Sequence, residues 1–156
     1  MSKRRRPTIP VSQWRIATEL EETKKIQGQH GTPAFQCDCA ECSRWHNSWQ
    51  EVLPDSLSSQ LKRFGIDPAQ PTDIYGGDTP RVSYHVVGKI LSGPDSFLTD
   101  GEWGKYQKYH TIRKEPAIGI SVARDIETSA ANPEYEDNES GDLIVIDLRL
   151  KYPNAI

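Results

Sequence analysis

The three cysteines of this chain, Cys37, Cys39 and Cys42, all fall in the stretch FQCDCAECSRWHNSW, which also carries His46 between Trp45 and Trp49. Thiolates and imidazoles are the ligands of tetrahedral zinc. Cys39, Cys42 and His46 are spaced i, i+3 and i+7, so a helix presents them along one face, with Cys37 arriving from the preceding turn. Together they form a C-x-C-x-x-C-x-x-x-H ligand set, in which His30, His85 or His110 can replace the fourth donor from a distant segment. The same spacing sets Cys42 and His46 on the Trp45/Trp49 stripe, and buried cysteines commonly lie on such stripes. A third reading takes Cys39 and Cys42 as a C-x-x-C dithiol at a helix N-terminus, although no strand of the thioredoxin type precedes it.

Charge suggests a different activity. The net charge is -3, but setting aside the basic run Lys3, Arg4, Arg5 and Arg6 leaves -7 on the remaining chain. Between Arg124 and Arg149 stand Asp125, Glu127, Glu134, Glu136, Asp137, Glu139, Asp142 and Asp147, with no lysine or arginine among them. A concentrated field of one sign steers partners of the other. The acidic stretch therefore points to a protein partner with a basic surface, in the manner of an immunity protein or antitoxin that plugs the site of a basic toxin. The KRRR arm supports nucleic-acid contact as the alternative, and a zinc knuckle beside it would strengthen that case. Lys105, Tyr106, Lys108 and Tyr109 resemble a base-stacking strand, or equally a solvated edge strand.

Enzymatic signals are sparse. The chain has no G-x-S-x-G, P-loop or H-E-x-x-H motif. A histidine-based site could draw on His85 after Tyr84, or on His110, with Asp100, Glu102 or Asp147, if folding brings them together. Gly76-Gly77 reads as a turn rather than a phosphate cradle.

The elements that must position these groups follow from periodicity. Residues 1–10 read as a basic disordered arm, and residues 11–156 as a single α+β domain with an acidic loop at 125–142. Ser12 is placed to cap a helix carrying Trp14, Ile16, Ala17 and Leu20 and ending at Gly28. A second helix runs from about Cys39 to Val52, with Cys42, Trp45, Trp49 and Leu53 on one face. A third covers DSLSSQLKRFGID, with Gly65 at its left-handed C′ position and Ile66 folding back on Leu61. From Arg81 the period becomes two: RVSYHVVGKIL, AIGISVAR and DLIVIDLRL are strands, and Asp100-Gly101 marks a hairpin. Helices followed by strands imply N-terminal helices packed on one face of a C-terminal antiparallel sheet. The stretch between the last two strands is polar enough for a long mobile loop.

CDCAEC, LPDSLSSQLKRFGIDPAQPTDIYG and YHVVGKILSGP, in that order over residues 35–95, resemble a family of small uncharacterised bacterial proteins sharing C-x-C-x-x-C, GIDP and YH-x-VG-x-I-x-x-GP motifs. The resemblance implies a bacterial cytoplasmic α+β domain and carries no activity with it. A cytoplasmic setting also fits three cysteines, which cannot all pair within one chain. The basic start lacks the apolar run of a secretory signal, and no apolar stretch is long enough to span a membrane.

Overall fold

The computed structural model describes residues 6–28, 39–100, 104–124, 135, 139 and 141–152, with the backbone alone for 98–100 and 104–106. It opens with a hairpin, not a helix. Strand β1 (Thr8–Val11) pairs antiparallel with β2 (Trp14–Thr18), and the turn between them places Ser12 at φ 51. The helix expected from Ser12 to Gly28 shrinks to α1 (Leu20–Gln27). Ile9, Val11, Trp14 and Ile16 are all buried, so the decisive period here is two, and β-branched residues fit a strand better than a helix. Thr8, Ile9 and Pro10, expected in the disordered arm, instead form the sheet edge, where Pro10 removes no ladder hydrogen bond that a neighbour needs.

Two helices follow as expected. Helix α2 (Ala40–Val52) has Cys39 as its N-cap residue, and α3 (Asp55–Arg63) ends in a Schellman motif. There the Gly65 N–H reaches the Lys62 carbonyl at 3.0 Å and the Ile66 N–H reaches the Leu61 carbonyl at 3.3 Å, with Gly65 at φ 83.

Strands β3 (Asp73–Tyr75), β4 (Arg81–Ser92), β5 (Phe97–Asp100), β6 (Gly104–Gln107), β7 (His110–Lys114), β8 (Ala117–Arg124) and β9 (Asp142–Leu150) complete the chain. The main sheet is seven-stranded and antiparallel, in the order β1-β2-β4-β9-β8-β7, with β3 also on β4; β5 and β6 form a separate hairpin. One edge of the 12-residue β4 takes β3 at Arg81–Ser83 and β2 at Gly88–Ser92, and the other edge takes β9.

The fold is α+β, but the sheet begins at the N-terminus and the helices are inserted between its strands. Nor do they share a face. Trp45 from α2 and Leu57 and Leu61 from α3 join the main core with Val82, Tyr84, Val86, Ile144, Ile146 and Leu148. Ile26 of α1 meets Val87 and Leu143, whose parity along the strands puts them on the opposite face. With both faces covered, β4 is buried without interruption from Arg81 to Gly88, and β9 from Leu143 to Leu148. Polar ends inside the core are satisfied: Trp45 Nε1–H and Tyr84 O–H both donate to the Pro68 carbonyl, at 2.7 and 2.5 Å.

Candidate functional site

The largest concentration of polar chemistry among the described residues lies on the α1 face of the sheet, around Asp147. The register pairs Ser83 with Asp147 and Arg81 with Arg149. Alternation therefore puts Ser83, Arg81, Asp147, Arg149 and, on β8, Ser121 on a common side. Arg81 grips Asp147 with two nitrogens, Nε to Oδ1 at 3.1 Å and Nη2 to Oδ2 at 2.6 Å. Ser83 Oγ donates to Oδ1, and Gln107 Nε2 donates to Oδ2 at 2.9 Å and to Ser121 Oγ at 3.1 Å. Arg81 Nη1 donates to the Tyr75 hydroxyl at 2.9 Å. The Arg149 guanidinium stands 5.1 Å from the Tyr109 ring centroid.

Both charges are out of water, the side chains being 7% and 0% exposed for Arg81 and Asp147. Burial opposes the charge on Arg81. The hydrogen bonds to Asp147 and Tyr75, and the attraction of Asp147, outweigh it and hold the guanidinium above its ordinary range. Burial first, and then the negative charge of Asp147, raises the Tyr109 hydroxyl. A carboxylate has about four lone-pair positions, and those of Asp147 are met by Arg81 twice, Ser83 and Gln107. A group so filled has no lone pair with which to take a substrate proton. Its work is to orient Arg81 and to fasten the β5–β6 hairpin, through Gln107, onto the main sheet.

His85 and His110 stand in different surroundings. His85 is fully buried, with Nδ1 2.6 Å from Thr72 Oγ1, and the Thr72 hydroxyl donates to the Ser83 carbonyl at 2.8 Å. His110 lies on β7, edge-on to Trp14 at 5.3 Å, with Nε2 3.3 Å from the Asp95 carbonyl. His85 shares the strand parity of Val87 and so lies on the α1 face, whereas His110 packs on Trp14, a member of the core on the other face. His85 and His110 therefore do not share a site, and Asp147 is bonded to neither.

Of the metal set, Cys37 lies outside the described residues. Cys39 and His46 are exposed at the start and middle of α2, while Cys42 is 5% exposed in the core. His46, Cys42 and Trp45 border a crevice closed by Ala69, Pro71 and Ile74. Among the described residues no group of three or more His, Cys, Asp or Glu side chains is arranged to hold a metal ion.

The acidic segment is described only in part. Asp125, Glu127, Glu134, Glu136 and Asp137 lie outside the described residues. Glu139 is exposed, whereas Asp142 is bound to Lys89 at 3.1 Å and Arg124 at 3.6 Å. Lys3, Arg4 and Arg5 also lie outside. Arg6 is engaged within the fold, Nε 3.6 Å from Glu19 and Nη2 2.8 Å from the Glu139 carbonyl. Gly76-Gly77 is the expected turn, and both its N–H groups donate to Glu41 Oε1, at 3.0 and 2.7 Å.

Arg81 was not a candidate on sequence, and Asp147 was one only as a possible histidine partner. The available signal was a charge inside an apolar strand, since Asp147 interrupts LIVIDLRL and must find a cation to be buried there. Among the described residues no helix is long and apolar enough to cross a membrane. No family model, curated protein or solved structure matches this chain.

Proposed function

We propose that this protein acts by binding a basic partner protein, as an inhibitor of the immunity or antitoxin type, through the acidic segment Asp125–Asp142 and the sheet that carries it. The observation that carries this reading is the charge distribution: between Arg124 and Arg149 the sequence has acids and no lysine or arginine. The segment joins β8 and β9, adjacent strands of the main sheet, so its two ends are anchored in register on a buried scaffold. A charged segment mounted on a rigid support is suited to fast capture, because complementary fields raise association rates from roughly 10⁵–10⁶ to as much as 10⁸–10⁹ M⁻¹s⁻¹ at low salt. Two further observations support binding over catalysis at the polar cluster: Asp147 is filled, and His85 and His110 stand in different surroundings. Arg6 is committed to Glu19 and Glu139, which leaves Lys3, Arg4 and Arg5 as the cations of the arm for any nucleic-acid contact.

The test uses two baits in host extract at low and high salt: the wild type and a variant carrying Glu134→Gln, Glu136→Gln, Asp137→Asn and Glu139→Gln. A basic protein retained by the wild type, released by salt and missed by the variant is the expected result. The purified partner must then lose its own activity when the wild type is added. Equal retention by both baits, or a partner whose activity is unaffected, refutes the proposal.

A further inference from the structure

A cleft of about 280 Å³ opens where the chain leaves β4, and Trp14, Ile90, Pro94, Asp95, Phe97 and Val122 are on its walls. Small-molecule sites run from roughly 300 to 1,000 Å³, so a cleft of this size suits a small ligand. Part of the wall is the segment that follows β4, and it is tied down along its length. Trp14 Nε1–H donates to the Pro94 carbonyl at 3.0 Å, His110 Nε2–H to the Asp95 carbonyl at 3.3 Å, and Lys108 N–H to the Ser96 carbonyl at 2.7 Å. Ser96 Oγ donates to the Val122 carbonyl at 2.6 Å and accepts the Val122 N–H at 3.1 Å, on a strand two places from β4. Gly93, at φ 140, lies so close to the indole that an added Cβ would come within 2.3 Å of Trp14 Cδ1, an approach that only glycine permits. A wall held in this way needs no ordering when a ligand arrives.

The lining favours a ligand of one charge. The side-chain donors of Trp14, Ser96 and His110 Nε2 are spent on the backbone carbonyls of the wall and of β8. Asp95 is exposed, and its carboxylate bonds to no described residue. Among the described residues no lysine or arginine lines the cleft, and the cations next to it in sequence, Lys89 and Arg124, are both bound to Asp142. Trp14 and Phe97 add aromatic rings, whose faces attract cations. A ligand that meets this lining must bring donors and a positive charge to Asp95 and an apolar stem to lie along Ile90 and Val122.

We infer that this cleft binds a primary alkylammonium group, with the ammonium at Asp95 and the alkyl stem between the aromatic and aliphatic walls. A free small amine and the lysine side chain of another protein share that chemistry. The site is independent of the partner-binding reading, since none of its lining belongs to the acidic segment.

The experiment titrates the isotope-labelled, full-length protein with n-butylammonium, n-butanol and butyrate and follows its amide and indole resonances. n-Butylammonium should shift the Trp14 indole and the Ser96 and Val122 amides saturably, n-butanol should bind about fivefold more weakly, and butyrate should leave them unmoved. Asp95→Asn removes the charge at an exposed position and keeps the carbonyl that His110 bonds, so the variant should fold, bind n-butylammonium about fivefold more weakly and bind n-butanol as before. A further arm uses Nα-acetyl-lysine N-methylamide: tighter binding than n-butylammonium assigns the cleft to a lysine of another protein, weaker binding assigns it to a free amine, and both support the inference. Equal affinity for n-butylammonium and n-butanol, wild-type affinity in Asp95→Asn, or the absence of saturable shifts at Trp14, Ser96 and Val122 overturns it.

Discussion

Replacing Arg81 with leucine tests whether the Arg81–Asp147 pair anchors the sheet. The substitution strips Asp147 of two of its four donors while leaving the carboxylate fully buried beside Ser83 and Gln107. Removing one partner of a buried ion pair costs about 3–5 kcal/mol, because the remaining charge is uncompensated. Against a total stability of roughly 5–15 kcal/mol this is a large fraction, and at this chain length it lowers Tm by about 6–20 °C. Asp147→Leu should cost more, because it strands Arg81 and also takes the acceptor from Ser83 and Gln107. The double variant should be more stable than Asp147→Leu, since no buried charge remains, yet below wild type because Ser83 and Gln107 still lose an acceptor at about 1–3 kcal/mol each. Urea unfolding followed by the fluorescence of the buried Trp14 and Trp45 measures all four corners of the cycle. The cost should persist at high salt, because a desolvated pair is poorly screened. Additive single costs, or a single cost under about 1 kcal/mol, would refute the structural role argued for the pair.

Two more perturbations probe the core. Burial raises the Tyr84, Tyr109 and Tyr152 hydroxyls in the folded state, so stability is fully present below the ordinary tyrosine pKa of about 10 and is lost as pH rises beyond it, when the unfolded chain ionises first. Tyr84→Phe should flatten that alkaline decline by about 1.4 kcal/mol per pH unit, measured as urea midpoints on either side of pH 10, and parallel profiles for the two proteins would contradict it. At Gly88 an added Cβ would overlap the Ala17 carbonyl oxygen on β2, and at Gly141, φ 152, it would come within 2.8 Å of Gly88 Cα. Gly88→Ala should therefore lower stability by about 1–3 kcal/mol, read as a shifted urea midpoint, and an unchanged midpoint would show that the β2–β4 contact yields easily.

Local signals made much of the fold legible. The stripe of α2, the Gly65 ending of α3 and the β8 and β9 runs match the structure closely because each element is decided by its own residues. The N-terminal segment misled because Trp14, Ile16, Ala17 and Leu20 satisfy a helical period over so short a span, and only pairing with the adjacent β1 and with β4, remote in sequence, selects the strand. Helix order misled for the same reason. The sheet's first hairpin precedes α1–α3, and nothing local to Trp14–Thr18 announces a partner as distant as β4.

The polar cluster was hidden by a specific ambiguity. In RVSYHVV the alternation of Val82, Tyr84 and Val86 with Arg81, Ser83 and His85 reads as a strand with one dry and one wet face. The structure buries both faces, so every polar residue of the second series must find a partner inside: Arg81 and Ser83 at Asp147, His85 at Thr72. Those partners lie as close as Thr72 and as far as Asp147, and only strand pairing joins them. The consequence separates two roles on one scaffold. The buried acid is consumed in holding β4, β9 and the β5–β6 hairpin together, whereas the acids between Arg124 and Arg149 that carry the binding proposal are those outside this ladder, with Asp142 at its end already paired to Lys89 and Arg124. Neutralising Glu134, Glu136, Asp137 and Glu139 should therefore change partner capture with little effect on stability, and disrupting Asp147 should do the reverse until unfolding removes both.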